Sequence, residues 1–444
     1  MLKDFAIDKN WGLLIDPDSV FWTIISKEKN LKTTLNKEIL PLYKKVNDKL
    51  NTEMKRFRFE TNLSAVYINP TNMCNANCQY CYIPASVRKS SLQMTIEQLE
   101  YILKKITKYF TSLKKDTKPV IVLHSTEPLL MKKTIFDVIC KYNHDFHFGI
   151  QTNTLLLEKE DVEFLKKYRV SVGISLDSHI PQINNQIRKN ISGGGNFDKA
   201  VRAIKWFDGY EGLNIITTVT NKNVEYLPEF VEFLHLKKVS AVLLNPVRTT
   251  RKSILNLRPQ NDILTGYFIA AVEKSIELSK TTNHRIIIAN FANIILGIIA
   301  PQARRLMCDI SPCGGGRCFL AITADGNMIP CGEFIKVKNK FCAGNIFQSS
   351  IEDALDSTAF KSVRARIVEE IEECKECIFM HICGAPCPAE TYSLNKNMYL
   401  KSPYCEFYKD IISYAFKLIA EDKIKYILRQ ETLKSLEYEY RLQK

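Results

Sequence analysis

The chain has no apolar run long enough to span a bilayer. The longest, Ile286 to Ala300, is about 15 residues and is interrupted by Asn290 and Asn293. Its opening residues, MLKDFAIDKN, mix acids and bases and lack an apolar h-region, so no secretory signal is expected there. No low-complexity linker divides the sequence, and no repeat is seen beyond strand–helix alternation. Lys and Arg are spread over predicted helices and form no dense tract, which argues against nucleic acid despite a formal net charge of +14. The glycine clusters Gly193–Gly195 and Gly314–Gly316 lack the Lys-Ser/Thr ending of a phosphate-binding loop. The first is expected to form the turn before a helix. A cytoplasmic protein with neither a membrane nor a nucleic-acid partner is the expectation.

What is abundant is cysteine. Fourteen in a chain expected to sit in a reducing compartment are poor disulfide candidates, so metal or cluster ligation is the better reading. With 444 residues, 45% hydrophobic and 25% charged, the chain is long enough for two or three domains with a sizeable core.

Six segments between Ser64 and Val247 read as short strands buried on both faces: AVYINP, VIVLHST, FHFGIQTN, VSVGISLD, LNIITTVT and VSAVLLNPV. Each precedes a helix-period stretch, the last being NDILTGYFIAAVEKSIELSK. Strand–helix alternation of this kind predicts an α/β fold, a partial (β/α)6 barrel with its chemistry at the C-terminal strand ends. The predicted divisions are a small α+β module over 1–61, the barrel over 62–282, a bridging segment and loop-rich cysteine domain over 283–405, and a charged helical tail over 406–444. The first module holds two apolar runs, WGLLID and VFWTIIS, and a helix around EILPLYKKVNDKLNTEMKRF.

The first barrel strand runs into CNANCQYCY, where Cys74, Cys78 and Cys81 are spaced C-x3-C-x2-C. Three thiolates on one loop suit a [4Fe–4S] cluster with one iron left open. The alternative, structural zinc, wants a fourth protein ligand, and the sequence offers none nearby. This spacing, with Tyr80 before the third cysteine, resembles the radical S-adenosylmethionine (SAM) superfamily. The resemblance implies that SAM chelates the open iron, that Tyr80 packs by the adenine, and that cleavage of SAM yields a 5′-deoxyadenosyl radical that abstracts a substrate hydrogen. It also implies an electron donor such as flavodoxin or ferredoxin.

The resemblance continues at later strand ends. LHSTEPLL is similar to the family's Gly-Gly-Glu-Pro segment, which implies that Glu127 binds the SAM ammonium. Ser125 and Thr126 replace the glycines and are backbone contacts by the same token, although Ser and Thr resist dihedrals that glycine adopts. QTNTLLL and SLDSHIPQINNQIR resemble the third- and fourth-strand motifs; they make Asn153 and Ser175 candidate ribose or SAM contacts and Arg188 a candidate for the SAM carboxylate. A surface role for Arg188 is the alternative. His124, His144, His147 and His179 stand isolated and are expected to be structural.

Ten cysteines follow from Cys308, with Cys374, Cys377, Cys383 and Cys387 spaced C-x2-C-x5-C-x3-C, Cys313 and Cys331 upstream and Cys405 downstream. This order resembles the SPASM extension of radical SAM enzymes, which holds two auxiliary [4Fe–4S] clusters and so brings the total to three. The resemblance implies one cluster on Cys374, Cys377, Cys383 and Cys405, and another on Cys308, Cys313, Cys331 and Cys387. Cys318 competes with Cys308 as a ligand; Cys342 and Cys140 are expected to be small buried apolar residues. Three clusters would lower the net charge to about +9, which still favours an acidic partner.

Radical SAM/SPASM enzymes mostly modify peptides or proteins, and the chain resembles ribosomal-peptide maturases such as thioether-forming (sactionine or ranthipeptide) synthases. The expected function is therefore hydrogen abstraction from a precursor peptide followed by a thioether or carbon–carbon cross-link. Residues 1–61 are then either a leader-binding element acting by strand addition or a cap on the barrel. The runner-up is an anaerobic sulfatase-type formylglycine maturase. Those enzymes place an aspartate base directly after the cysteine matching Cys331, where this chain has Gly332 and then Glu333, its one candidate catalytic residue. A non-catalytic iron–sulfur regulator or RNA-binding protein would leave the SAM-contact motifs unexplained.

Overall fold

The computed structural model describes residues 1–28, 35–113, 118–429 and 432. Six consecutive parallel strands form the centre of the molecule: β4 (Ala65–Ile68), β5 (Val120–Leu123), β6 (His147–Thr152), β7 (Ser171–Ser175), β8 (Leu213–Val219) and β9 (Ala241–Pro246). All six coincide with expected segments. The longer helices between them are α2 (Ile96–Ser112), α3 (Lys132–Tyr142), α4 (Lys159–Lys167), α5 (Phe197–Phe207) and α6 (Leu227–Leu236), with α7 (Asn261–Thr281) following β9. The start of α2 shows the local logic: Thr95 and Gln98 form a reciprocal capping box, and Leu99, Ile102, Leu103, Ile106 and Phe110 form its buried face.

The sheet extends beyond those six strands. Its order is β10-β9-β8-β7-β6-β5-β4-β11-β12, where β10 is Ile287–Ile288, β11 is Phe319–Ile322 and β12 is Met328–Ile329. β11 runs parallel to β4, with Leu320 opposite Val66 and Ile322 opposite Ile68, so the cysteine domain supplies a neighbour for the first barrel strand. The long apolar stretch is β10 followed by α8 (Ala289–Ile299). Its asparagines are tie points: Asn290 exchanges hydrogen bonds with Leu244 of β9, and Asn293 accepts from the amides of Arg305 and Leu306. No helix among the described residues is long and apolar enough to cross a membrane.

The N-terminal segment holds three antiparallel strands, β1 (Lys3–Ala6), β2 (Trp11–Asp16) and β3 (Phe21–Ser26), and then α1 (Leu40–Phe59). β1 was not expected from sequence. Nor is this segment an appended module. Leu13, Ile15, Val20, Trp22, Ile24 and Met54 belong to the same buried cluster as the barrel. Trp22 donates to the Ile298 carbonyl at 2.8 Å and meets Phe416 edge-on, with ring centroids 5.5 Å apart. Arg58 is buried between the Ser311 carbonyl and the Glu369 carboxylate, and Arg317 donates to the carbonyls of Phe57 and Glu60.

The expected tail begins as α9 (Cys405–Ala420), whose Phe407, Ile411, Ile412, Phe416 and Ile419 are buried. Its apolar face is packed in the core while Glu406, Lys409 and Asp410 are exposed, as an amphipathic helix requires. Of the expected tail helix, residues 430–431 and 433–444 lie outside the described residues.

Candidate active site

The loop after β4 carries Cys74, Cys78 and Cys81 to the C-terminal edge of the sheet, and all three line a cavity of about 430 Å³. The loop is held on both sides. Asn77 and Gln79 amides donate to the carbonyls of Lys189 and Ile187 at 2.7 and 3.0 Å, and the Ile191 amide donates to Asn75 at 3.1 Å. Arg88 donates to the Ala76 carbonyl at 3.2 Å, and Arg251 to that of Gln79 at 2.9 Å.

Arg188 is buried and lines the same cavity, so it is not a surface arginine. It lies 3.5 Å from Asp177 Oδ2 and donates to the Tyr80 hydroxyl, which in turn donates to Asp177 at 2.5 Å. Burial raises the Asp177 carboxyl, and the Arg188 guanidinium opposes that shift. Arg188 Nε is buried without a hydrogen-bond partner. A ligand carboxylate in the cavity would satisfy it, which is the fit that SAM requires.

Glu127 has no exposed surface and does not border the cavity. Its Oε1 accepts from the Leu129 amide at 3.1 Å and the Thr152 hydroxyl at 2.8 Å, and its Oε2 accepts from the Asn153 amide at 2.8 Å. The structure thus places Glu127 behind the wall, fixing the end of β6, with one lone pair on Oε2 left for a further donor. Burial pushes its carboxyl up to about 7 against the pull of those bonds. Asn153 does face the cavity; its amide nitrogen donates to Asn75 at 2.7 Å and lies 3.9 Å from Cys74 Sγ.

Ser125 and Thr126 border the cavity as well. Ser125 has φ +89, the dihedral that glycine would adopt there without cost, so the backbone keeps the path despite its side chain. The Thr126 hydroxyl bonds the Thr71 carbonyl and the Asn69 amide, which ties the β5 end to the cluster loop. Ser175 lines the cavity, and its carbonyl accepts from Asn196 at 2.9 Å. The first glycine cluster delivers Asn196 to this bond, and a Cβ on Gly195 would fall 1.8 Å from Asn185 Oδ1.

Cys308, Cys313, Cys331 and Cys387 line the same cavity. Cys374, Cys377, Cys383 and Cys405 line a separate small one beneath Phe379 and Met380. Neither cavity includes Cys318, Cys342 or Cys140; Cys318 is buried and Cys140 exposed. Among the described residues no three His, Cys, Asp or Glu side chains converge where a single ion would bind them. The cysteines stand instead around cavity walls. Burial pushes the Cys74 and Cys387 thiols up to about 12 and that of Cys374 to about 11. Such groups become thiolate ligands by exchanging protons for iron, a chemistry that suits these donor sets.

Sequence reading missed several residues in or behind the wall of this cavity, Asp177, Arg248 and Glu390 among them. Asp177 was an undistinguished polar residue after a strand. Arg248, at the end of β9, is 3.5 Å from the buried Glu390 carboxylate, which also accepts from the Thr249 amide and hydroxyl at 2.7 and 2.6 Å. His124, read as structural, faces the cavity and is half-buried; its surroundings lower its pKa to about 4 by desolvation. Glu333, the candidate that sequence did name, faces the cavity, with Oε2 buried and unpartnered, and burial pushes it up to about 7. Of the other histidines, His179 sits 6.1 Å from the Phe233 ring, outside both cavities, while His144 and His147 are exposed.

Residues 68–234 match the radical SAM superfamily, and residues 313–378 match an iron–sulfur cluster-binding domain, SPASM. An uncharacterized protein of Archaeoglobus fulgidus is 43% identical over 436 residues, 98% of each chain. A cysteine-type anaerobic sulfatase-maturating enzyme of Clostridium perfringens is 22% identical, over 77% of this chain and 93% of its own. In fold, the chain is similar to Streptococcus suis SuiB bound to its precursor peptide SuiA, with a TM-score of 0.59 and 16% identity, covering 91% of this chain and 100% of that one.

Proposed function

Because this chain belongs to the radical SAM superfamily and carries a SPASM domain, with [4Fe–4S] clusters and SAM as its cofactors, we propose that it is a maturase of a ribosomally made precursor peptide. The observation that carries this reading is that one cavity is bordered both by Cys74, Cys78 and Cys81 and by Cys308, Cys313, Cys331 and Cys387. When bound, SAM and the first cluster supply hydrogen-atom abstraction. A substrate residue between the two cysteine sets would lose its hydrogen towards the SAM side and face an auxiliary cluster on the other.

The chain's own residues support such an oxidation. Arg188, held by Asp177, is placed for the SAM carboxylate, Tyr80 packs beside it, and Asn153 and Ser175 border the remainder of that site. Glu127 holds the β6 end that presents Asn153. Glu333 Oε2 is positioned to take a substrate proton, and a carboxyl near 7 is matched to that task. Arg248 faces the cavity and lowers the carboxyls of Glu333 and Asp309 against burial. Cysteine-to-carbon or carbon-to-carbon cross-linking removes two hydrogens from the peptide. Residues 1–61 are the proposed leader contact, through the outer strands of their three-stranded sheet. SuiB, whose fold is similar, is known bound to a precursor peptide.

A second reading, formylglycine formation on a sulfatase, is favoured by the sulfatase-maturating relative and by Glu333 near the position of the base. One experiment separates the two. Reconstituted protein is given SAM, a reductant, and either short peptides encoded beside its gene or a sulfatase-type peptide. Loss of two hydrogens with a new intrapeptide link supports the first reading. An aldehyde on the sulfatase peptide, with the precursor unchanged, replaces it with the second.

A further inference from the structure

The loop that carries Cys78 reaches the surface: Asn77 and Gln79, on either side of that cysteine, are exposed. Three segments surround it and are joined to it by hydrogen bonds: the loop's own continuation, the stretch containing Lys189 and Ile191, and the stretch containing Arg251. None contains an acid. There is no Asp or Glu between Glu60 and Glu97, between Asp177 and Asp198, or between Glu232 and Asp262. The cations in them do reach solvent. Lys89, Lys189 and Lys252 are exposed and Arg251 partly so. Among the described residues none of the four is ion-paired. Ile191 is 73% exposed and Leu92 is 39% exposed, two apolar side chains on the same segments, each bonded through its backbone to the cluster loop.

A surface that combines exposed apolar side chains with unpaired charges of one sign suits a partner of the opposite charge. The cluster lies just beneath, and the radical reading requires one electron to arrive there for each SAM cleaved. We propose that this face docks an acidic one-electron carrier of the flavodoxin or ferredoxin class, with Lys89, Lys189, Arg251 and Lys252 steering it and Ile191 and Leu92 giving apolar contact. In the complex one electron leaves the reduced carrier and enters the cluster held by Cys74, Cys78 and Cys81. The carrier is oxidised by that one electron and no proton is required. The proposal rests on the radical SAM reading, and its test keeps the two apart.

The test uses the full-length reconstituted protein and the Lys89→Glu/Lys189→Glu variant. SAM cleavage is driven either by reduced flavodoxin or by dithionite, which needs no docking, and binding of oxidised flavodoxin is measured by calorimetry at low and high salt. The expected result is a loss of about tenfold or more in flavodoxin binding and flavodoxin-driven cleavage, salt-sensitive in the parent protein, with dithionite-driven cleavage unchanged. Equal flavodoxin binding by parent and variant overturns the proposal. So does charge reversal that abolishes binding of an RNA oligonucleotide while leaving flavodoxin untouched. If the variant loses activity with both reductants, Ile191→Ser/Lys252→Glu is read in the same assays, and retained flavodoxin binding there overturns the proposal as well. Parent protein that cleaves no SAM with dithionite fails the radical SAM reading itself.

Discussion

The Tyr80 hydroxyl donates a 2.5 Å hydrogen bond to Asp177 Oδ2, joining the cluster loop to the end of β7 across 97 residues of sequence. Arg188 completes the triangle, 3.5 Å from the same oxygen. The cluster loop and the proposed SAM contacts are therefore a single hydrogen-bonded unit. Arg188→Ala should weaken SAM binding by roughly 1.5–3 kcal/mol without loss of iron, because the contact is with the ligand. Asp177→Asn should do so to a smaller degree, by freeing Arg188 to move. Calorimetry on the reconstituted protein checks both, and unchanged affinity in Arg188→Ala would remove its assigned role.

Replacing Cys74, Cys78 and Cys81 together by Ala should remove about four of about twelve irons and abolish SAM cleavage. Cys308→Ala should disturb a second cluster, while Cys318→Ser should keep its full iron content, since Cys318 lines neither cavity. Iron analysis with electron paramagnetic resonance reads all three.

Asn153→Ala should move the midpoint potential of the first cluster to a more negative value, because the amide nitrogen 3.9 Å from Cys74 Sγ is a donor that favours the reduced, more negative state. Spectroelectrochemistry with SAM absent measures this. A potential unchanged from the parent would assign Asn153 to SAM alone.

Two groups, the buried Glu127 and the half-buried His124, titrate in opposite senses. Glu127 is raised to about 7 in the folded protein, so the unfolded chain binds fewer protons between about 4.5 and 7 and stability falls as pH rises through that window. His124 is lowered to about 4, so the unfolded chain binds more protons between about 4 and 6.5 and stability falls as pH drops through it. The parent protein should show a shallow pH dependence there. Glu127→Gln should lose stability more steeply on acidification, and His124→Gln should gain it. Thermal melts from pH 4.5 to 7 would show both trends, and parallel curves for parent and variants would refute them.

Trp22→Ala should cost about 3–5 kcal/mol, the price of emptying a packed core site. Removing residues 1–60 should leave a protein that does not fold on its own, since the barrel core would lose the side chains packed against it. Recovery of a stable, fully iron-loaded truncation would restore the separable module that sequence alone implies.

Six strands and their helices were legible because runs buried on both faces, such as VSVGIS, alternate with clear helical periodicity. The partition of eight cysteines between two cavities also follows the order implied by the SPASM resemblance. The pairing of FLAI with β4 was not legible, because a four-residue apolar run among cysteines carries no sign of its partner. Packing of the N-terminal sheet was hidden for the same reason: WGLLID announces a strand without saying what covers it. At Glu127 the surroundings were not legible, since three internal donors claim a carboxylate whose sequence context names only one role.

The pairing of β11 with β4 also bears on how the chain is made. The edge of β4 that precedes the cluster loop has no partner until a segment some 254 residues later leaves the ribosome. Until then the nascent protein offers an open strand beside three reduced thiols, a state prone to aggregation and to oxidation. Iron delivery during synthesis would have to await the second half of the chain or shield the first, and expression under slow translation should favour protein that has lost its first cluster.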